Sequence, residues 1–461
     1  MKRFEIITLS LLILLATWLR FYRLPELMPF IGDQGRDYLA ARDMLLTGQL
    51  TLVGIPSSVP WLHQGPFFIW LAALALKLGN FNPLAPAVLT AVLGVLTVYL
   101  TYSLAISWFS KKASLIAALI TTTAPLSVIH SRLAYHTSPI PIFSLLYIFS
   151  LYSWAKKKLH LFWPVFLWAV LLQFELTTAP LILLIPLIYF WQKQPPTKKQ
   201  ILTALPAIII PFIPKIIYDF SHGFKQTFGF IAWLGYRILS FFGYSGRHTF
   251  SIQSVKQVSQ TIFEYWRKFI SWGSIPVAAI LGLLLLAAIF YRLKQKKLSL
   301  KLKILFSFIA INLLAFYFHQ GPSEAYFPVL FPAWALFIAW LIDYLKKPVI
   351  AILFIILSVY NLQYLVRHDF ISYGPTLKQR LAVVKFIKLQ NQPFKLKNHH
   401  SVEQFASYLD NYRYLLWWFD NPEDPEAKLT YTIYEGKPED FIRLTNATIY
   451  HFEKIKLIKH D

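Results

Sequence analysis

Cysteine is absent from the 461 residues, which excludes disulfides, haem thiolates and zinc-thiolate sites. Charge is scarce as well: 15% of the chain is Asp, Glu, Lys or Arg, where a soluble protein carries about 25%. No repeat recurs at a fixed period, and no low-complexity tract stands out beyond one basic loop. What is abundant is apolar: 56% of residues are hydrophobic and 17% aromatic, in uninterrupted runs of about 20 residues along most of the chain. Such runs exclude a soluble enzyme, a disordered tail and a small disulfide scaffold. A net charge of +23 would suggest nucleic-acid binding in a soluble domain. Here the lysines and arginines sit in short clusters between apolar runs, as topology signals do, so no nucleic-acid partner is expected.

The apolar runs predict spanning helices at about 4–22, 84–109, 113–129, 139–155, 160–174, 178–192, 201–218, 273–291, 304–318, 325–345 and 348–366, each near bilayer length. The first follows Met1-Lys2-Arg3 and lacks a small-residue cleavage site, so it is expected to stay as a membrane helix with a cytoplasmic N-terminus. Lys111/Lys112, Lys156 to Lys158, Lys193/Lys198/Lys199, the Arg292 to Lys303 cluster and Lys346/Lys347 all fall between spans and mark cytoplasmic loops. The short loops 130–138, 175–177 and 319–324 hold only Arg132 among them and belong outside. Phe67 to Gly79 is apolar, but its 13 residues reach only about 20 Å as a helix against a roughly 30 Å core. It therefore reads as an interfacial or re-entrant helix, which leaves eleven full spans.

An odd count puts the C-terminal residues 367–461 outside. From Arg367 charges become frequent, and helix-like Thr376 to Leu389 and Val402 to Leu416 alternate with strand-like Leu429 to Tyr434 and Thr448 to Ile458. The fold class is thus an all-α polytopic membrane domain over 1–366 with a small α/β domain over 367–461.

Three outer loops are too polar to be mere connectors; the first, 25–82, is long enough to fold over the membrane face, and the fourth outer loop, 219–272, is long as well. The first carries Gly32-Asp33-Gln34-Gly35-Arg36-Asp37-Tyr38 and an amphipathic helix with an apolar stripe at Ala40, Ala41, Met44 and Leu45. Asp33, Arg36 and Asp37 share one face, at i, i+3 and i+4. Asp33 reads equally as an N-cap and as a catalytic acid, and Arg36 and Asp37 equally as solvated charges. Two carboxylates and a guanidinium beside an apolar surface are also what a transferase needs at a membrane interface: a base to deprotonate an acceptor, a cation to hold a phosphate.

A long first outer loop with an acid soon after the first span, a helix ending in Met-Leu-x-x-Gly (Met44 to Gly48), and Gly65-Pro66-Phe67-Phe68-Ile69-Trp70 together resemble family 39 glycosyltransferases of the GT-C superfamily. That group includes protein O-mannosyltransferases and lipid A aminoarabinose transferases. The resemblance continues through Pro83 to Arg132 and through Tyr326-Phe327-Pro328-Val329-Leu330-Phe331-Pro332. It implies the GT-C fold and an inverting transfer of a sugar from a polyprenyl-phosphate donor to a lipid, glycan or protein acceptor on the outer face of the cell membrane. Asp33 matches the family's first-loop catalytic aspartate, the expected general base, and Arg36 matches an arginine of some members. The next family position, often acidic, is Gln34 here. The lysine that the aminoarabinose branch carries before its Pro-Pro motif is replaced by Gln64-Gly65.

Arg36, Asp37, Gln64, Arg132, His136, Glu175, Glu324 and Tyr326 form the expected substrate-binding set around Asp33. Arg132, in the second outer loop, could grip a donor phosphate bidentately or anchor a helix end at the headgroups. His136 reads as a hydrogen-bonding residue. Glu175, beside Gln173 at the outer end of the fifth span, and Glu324 are ionisable groups near membrane depth; each is a site candidate and each is also an ordinary helix-terminal acid. No cofactor is expected. His63, His130, His136 and His319 all fall outside, but without HxH or HExxH spacing a divalent metal has no support. Trp233, Tyr236, Phe241, Phe242, Tyr265 and Trp266 of the large outer loop suit the interface or an acceptor groove.

A transporter or lipid flippase is the competing class. Such proteins show inverted repeats, matching Gly/Pro breaks and midplane charges, whereas the ionisable residues here cluster at span ends. The loop charges predict that reporter fusions report residue 296 as cytoplasmic and residue 400 as extracytoplasmic; the same side for both would overturn the span count.

Overall fold

The computed structural model describes residues 3–460 apart from 58, 60, 194, 245–249, 295–297, 346–347, 371–372, 400–406 and 436–447. Residues 296 and 400, the Lys346/Lys347 pair and the start of the helix expected from Val402 lie outside the described residues.

The chain crosses an apolar layer through α1 (Arg3–Phe21) and then runs through a polar segment containing α2 (Leu24–Leu27), α3 (Gly32–Thr47) and α4 (Phe67–Leu78). The bundle continues with α5 (Ala85–Trp108), α6 (Lys111–Thr123), α7 (Pro125–Ser131), α8 (Ile140–Ala155), α9 (Phe162–Phe174), α10 (Leu184–Gln192) and α11 (Lys198–Ser221). It closes with α12 (Lys225–Phe241), α13 (Ile252–Ile270), α14 (Ile275–Lys294), α15 (Leu300–His319), α16 (Phe331–Leu345) and α17 (Pro348–Arg367). All eleven expected spans have a helical counterpart, though several are not single straight helices.

Each departure has a local cause. The third span is bent by 58° between α6 and α7, where Pro125 removes a backbone donor just after Thr121, Thr122 and Thr123 bond back to carbonyls four residues earlier. The sixth begins as a 3-10 run, Leu176–Leu183, around the internal Pro180 before α10 takes over. The tenth begins as two 3-10 turns, Glu324–Tyr326 and Pro328–Leu330, before α16. α16 is buried among the others, whereas α11, with three internal prolines, turns most of its surface outward to lipid. α13 is strongly amphipathic and meets α14 at 105°, the geometry of an interfacial helix feeding a span.

α4 starts and ends on the same side. Gly65, just before it, donates its N–H to the Gln173 carbonyl at the end of α9, 2.9 Å, and the Phe81 carbonyl just after it accepts from Tyr414 of the C-terminal domain, 2.8 Å. It packs on α3, α5 and α9 without crossing.

The C-terminal domain comprises α18 (Leu377–Leu389), β1 (Lys395–Asn398), α19 (Asp410–Trp418), β2 (Thr430–Tyr434), β3 (Thr448–Phe452) and β4 (Ile455–His460). Its sheet runs β1-β2-β4-β3, with β1 parallel to β2 and the other pairs antiparallel. The single strand expected at 448–458 is instead a hairpin: Glu453, with φ of 50°, turns the chain, and β4 runs on to His460. β1 was not expected, since Lys395-Leu396-Lys397-Asn398 is too short and basic to signal a strand.

This domain sits on the first outer loop. Leu377 donates to the Met28 carbonyl, 2.9 Å; Asn411 Nδ2 donates to the Phe30 carbonyl, 2.7 Å; and Phe30 and Tyr38 each meet Tyr414 edge to face. A Cβ on Gly32 would lie 2.1 Å from the Ser407 carbonyl oxygen, and one on Gly35 2.0 Å from the Asn411 nitrogen, so α3 meets α19 backbone to backbone. The loop after α1 and the domain after α17 therefore lie on the same side of the bundle.

Candidate active site

The start of α3 gathers the charges. Ile31, in extended conformation, is its N-cap, and Gln34 Oε1 accepts the Ile31 N–H at 2.9 Å. Asp33 is thus not the cap. The position where relatives often carry an acid holds the residue that closes this helix end, and Asp33 is left free for other partners. Its side chain is 22% exposed. Oδ1 accepts from Arg36 at 3.0 Å and from the Ser407 hydroxyl at 2.7 Å, while Oδ2, among the described residues, has only Tyr135, whose hydroxyl stands 3.5 Å away.

Arg36 bridges both acids, reaching Asp37 Oδ1 at 3.3 Å. Burial works against its guanidinium, but Asp37 and Asp33 outweigh that and hold its pKa above the ordinary value. Asp37 is 1% exposed and its Oδ2 has no hydrogen-bond partner. Burial pushes its carboxyl up to about 6, against the pull of Arg36 and His136 and with the push of Asp33. Burial and the nearby Asp33 likewise raise the Tyr135 phenol. The two carboxylates are therefore unlike: one reachable, the other sealed.

A second polar chain adjoins the first. The His136 ring lies 4.1 Å from that of Tyr135, and its Nε2 is 3.5 Å from Glu175 Oε2. Glu175 Oε1 caps the 3-10 run through the Thr177 N–H, 3.2 Å, and receives Gln64 Nε2 at 3.4 Å; Gln64 Oε1 in turn accepts the Leu176 N–H at 3.0 Å. Gln64, His136 and Glu175 thus come together across three segments far apart in sequence. Both side-chain atoms of the buried Gln173 lack partners.

The other expected residues lie in different settings. Arg132 was a candidate for the donor phosphate, and here its guanidinium holds the end of α1: it donates to the carbonyls of Leu19 (2.9 Å), Arg20 (3.2 Å) and Tyr22 (3.0 Å) and stacks 4.3 Å from the Phe370 ring. Three orphan carbonyls at a helix C-terminus are a strong sink for a planar cation, which favours the anchoring reading over the phosphate grip. Glu324 bonds to Tyr373 and Tyr265 at the entry to α16. Tyr326 reaches His319 Nε2 at 3.4 Å and lies near enough to Glu175 to feel its charge. The outer histidines are dispersed: His130 pairs with Thr137 at 3.0 Å, and His63 packs on Tyr218. Among the described residues no group of three or more His, Asp or Glu could hold a metal.

Two members of the site escaped the sequence. Tyr135 has a weak signal, an aromatic beside His136 in a polar outer loop. Ser407 has none, being 374 positions from the aspartate it touches.

Set against known proteins, residues 63–218 match the family model described as dolichyl-phosphate-mannose-protein mannosyltransferase. An uncharacterized protein of Aquifex aeolicus (strain VF5) is 30% identical over 168 residues, which are 35% of this chain and 32% of that protein; the chain thus spans about a third of the length of this curated relative. Solved structures align over nearly the whole chain. ArnT from Cupriavidus metallidurans in the apo state covers 98% of this chain and 97% of its own, with TM-score 0.60 at 12% identity, and its undecaprenyl phosphate-bound form gives 0.58 at 11%. The archaeal oligosaccharyltransferase AglB from Archaeoglobus fulgidus, in complex with an inhibitory peptide and a dolichol-phosphate, covers 90% of this chain and 64% of its own, with TM-score 0.51 at 12%. This chain has the GT-C fold. The GT-C fold that the sequence resemblance implied is borne out, and the molecule is a multi-pass membrane protein with a GT-C bundle and a small C-terminal α/β domain.

Two outcomes follow from this geometry. Arg132→Ala leaves carbonyls at the end of α1 unpaired and is expected to cost about 3 kcal/mol, read as a fall in thermal midpoint in detergent. Asp37 has a folded pKa of about 6, above its ordinary 3.8, so the folded state holds that proton more tightly than the unfolded chain. The stability this contributes is complete below pH 4 and is lost as pH rises through 6, up to about 3 kcal/mol. Asp37→Asn removes the titration, so its midpoint should gain on wild type between pH 4 and 6; parallel pH profiles would contradict the burial of an ionisable Asp37.

Proposed function

We propose that this protein is a membrane glycosyltransferase that moves a sugar from a polyprenyl-phosphate-linked donor to a lipid, glycan or protein acceptor on the extracytoplasmic face, with inversion and with Asp33 as general base. The observation that carries the reading is the asymmetry at the start of α3: a reachable Asp33 and a sealed Asp37 flanking one arginine. The GT-C fold, and the polyprenyl phosphates bound by ArnT and AglB in their solved structures, support a donor of that class.

In this reading the acceptor hydroxyl or amine gives its proton to Asp33 Oδ2, the oxygen with the lighter hydrogen-bond load. The acceptor atom bonds to the anomeric carbon from the face opposite the phosphate, the carbon–oxygen bond to phosphate breaks, and polyprenyl phosphate leaves. Arg36 spends three N–H groups on Asp33 and Asp37 and keeps two for the phosphate oxygens. Asp37 holds that guanidinium in place. Gln64, His136, Glu175 and Tyr326 form a polar wall suited to sugar hydroxyls, while Arg132 and Glu324 brace the helix ends around it.

The test starts from mass spectrometry of cell-surface glycans and lipids with and without the gene, which reveals the sugar the protein installs. Wild type should restore that mass and Asp33→Asn should not, although the variant inserts and folds normally. Loss of proton transfer removes about 10² to 10⁴ of the rate, whereas asparagine preserves the shape of the side chain. Full restoration by Asp33→Asn would overturn the base assignment; no change in any glycan or lipid on deletion would overturn the activity.

A further inference from the structure

The C-terminal domain puts a hydroxyl on the same carboxylate that α1 and α3 deliver to the membrane surface. Ser407 lies in the turn before α19, is 5% exposed, and donates to Asp33 Oδ1 at 2.7 Å; its own carbonyl accepts the Asp410 N–H at 3.0 Å, which fixes the turn. The contact is built in from both sides. Gly32 and Gly35 leave no Cβ between α3 and this turn, Asn411 ties it to the Phe30 carbonyl, and Tyr414 ties it to the Phe81 carbonyl at the end of α4. Asp33 then has two firm bonds on Oδ1 and one long contact on Oδ2.

We infer that Ser407 is a positioning residue for Asp33, so that the C-terminal domain completes the active site rather than merely covering it. The inference rests on the proposed role of Asp33 as base. Without the hydroxyl, Oδ1 keeps only Arg36, the carboxylate is free to rotate about its Cβ–Cγ bond, and Oδ2 is no longer the oxygen left to the acceptor. Among the described residues, the other polar groups on Asp33 are Arg36 and Tyr135, with Asp37 one turn along α3. All of them remain when Ser407 is replaced.

The readout needs no substrate. The full-length protein in detergent is treated with a water-soluble carbodiimide and an amine at one fixed pH, and peptide mass spectrometry follows the rate of modification at Asp33, which is partly exposed, separately from the sealed Asp37. Ser407→Ala, which frees Oδ1, should speed Asp33 modification about fivefold, the worth of one hydrogen bond, and Ser407→Thr, which keeps the hydroxyl, should return it toward wild type. Asp37 should stay unmodified in all three proteins, which separates loss of the hydroxyl from a general loosening of the interface. In cells, Ser407→Ala should install the sugar about tenfold more slowly at equal protein level, and Ser407→Thr should recover most of that rate. Equal modification rates in wild type and Ser407→Ala, or a parallel rise at Asp37, would overturn the inference. The failure of the functional reading looks different: Asp33→Asn would then restore the glycan in full, whatever the carbodiimide rates show.

Discussion

Two glycines three residues apart on α3 allow a backbone contact that a single methyl group at either position would block, with distances near 2 Å to the Ser407 oxygen and the Asn411 nitrogen. Through that contact the domain that follows the last span comes down onto the loop that follows the first. Much else at the outer face depends on it: the Asn411 bond to Phe30, the Phe30–Tyr38–Tyr414 aromatic cluster, the cation–π contact of Arg42 over Trp417 at 4.9 Å, and the tie from Tyr414 to the end of α4. The interface holds α3 at a fixed height above the bundle. Its first two turns carry both candidate carboxylates, so the position of the site is set there.

The electrostatics of the site follow from placing like charges in unlike surroundings. Asp33 and Asp37 are one helical turn apart and share Arg36, yet only Asp33 keeps contact with solvent. Burial raises the carboxyl of Asp37 while the shared guanidinium offsets part of the cost, so a single arginine is drawn between an exposed acid and a hidden one. Unlike surroundings for two like groups are a common way to divide roles at a catalytic centre. The adjoining His136–Glu175–Gln64 chain extends the polar lining toward the end of α9, where Glu175 also serves as the cap that starts the 3-10 run.

The bundle beneath is shaped by where its helices break. Pro125, Pro180 and the Pro328 turn each interrupt a span close to the outer face, and the residues freed by these breaks, from Arg132 to His136, Glu175 and Tyr326, line or brace the polar region. Backbone groups released at such breaks need partners in a medium without water. Arg132, with its three carbonyls at the end of α1, is the clearest example. The same rule explains why an arginine in an outer loop need not face a phosphate: a helix end offers it an equally good anion-like sink nearer at hand.

The sequence by itself determined the membrane class, the apolar helices of the bundle, the helix that places Asp33, Arg36 and Asp37 on one face, and the α/β nature of the tail. These depend on composition and on periodicities of 2 and 3.6 residues, which are local properties of the chain. The tertiary structure alone decided that Asp33 is not the cap of its helix, since Gln34 takes that work, and that Arg132 is bound to carbonyls. It alone put Gln64, His136 and Glu175 in contact and brought Ser407 to Asp33. Each of these is a meeting of segments separated by tens to hundreds of residues. No local pattern encodes such a meeting, because it is fixed by the packing of spans and by the absence of a side chain at Gly32 and Gly35, whose significance appears only once the opposing backbone is in place.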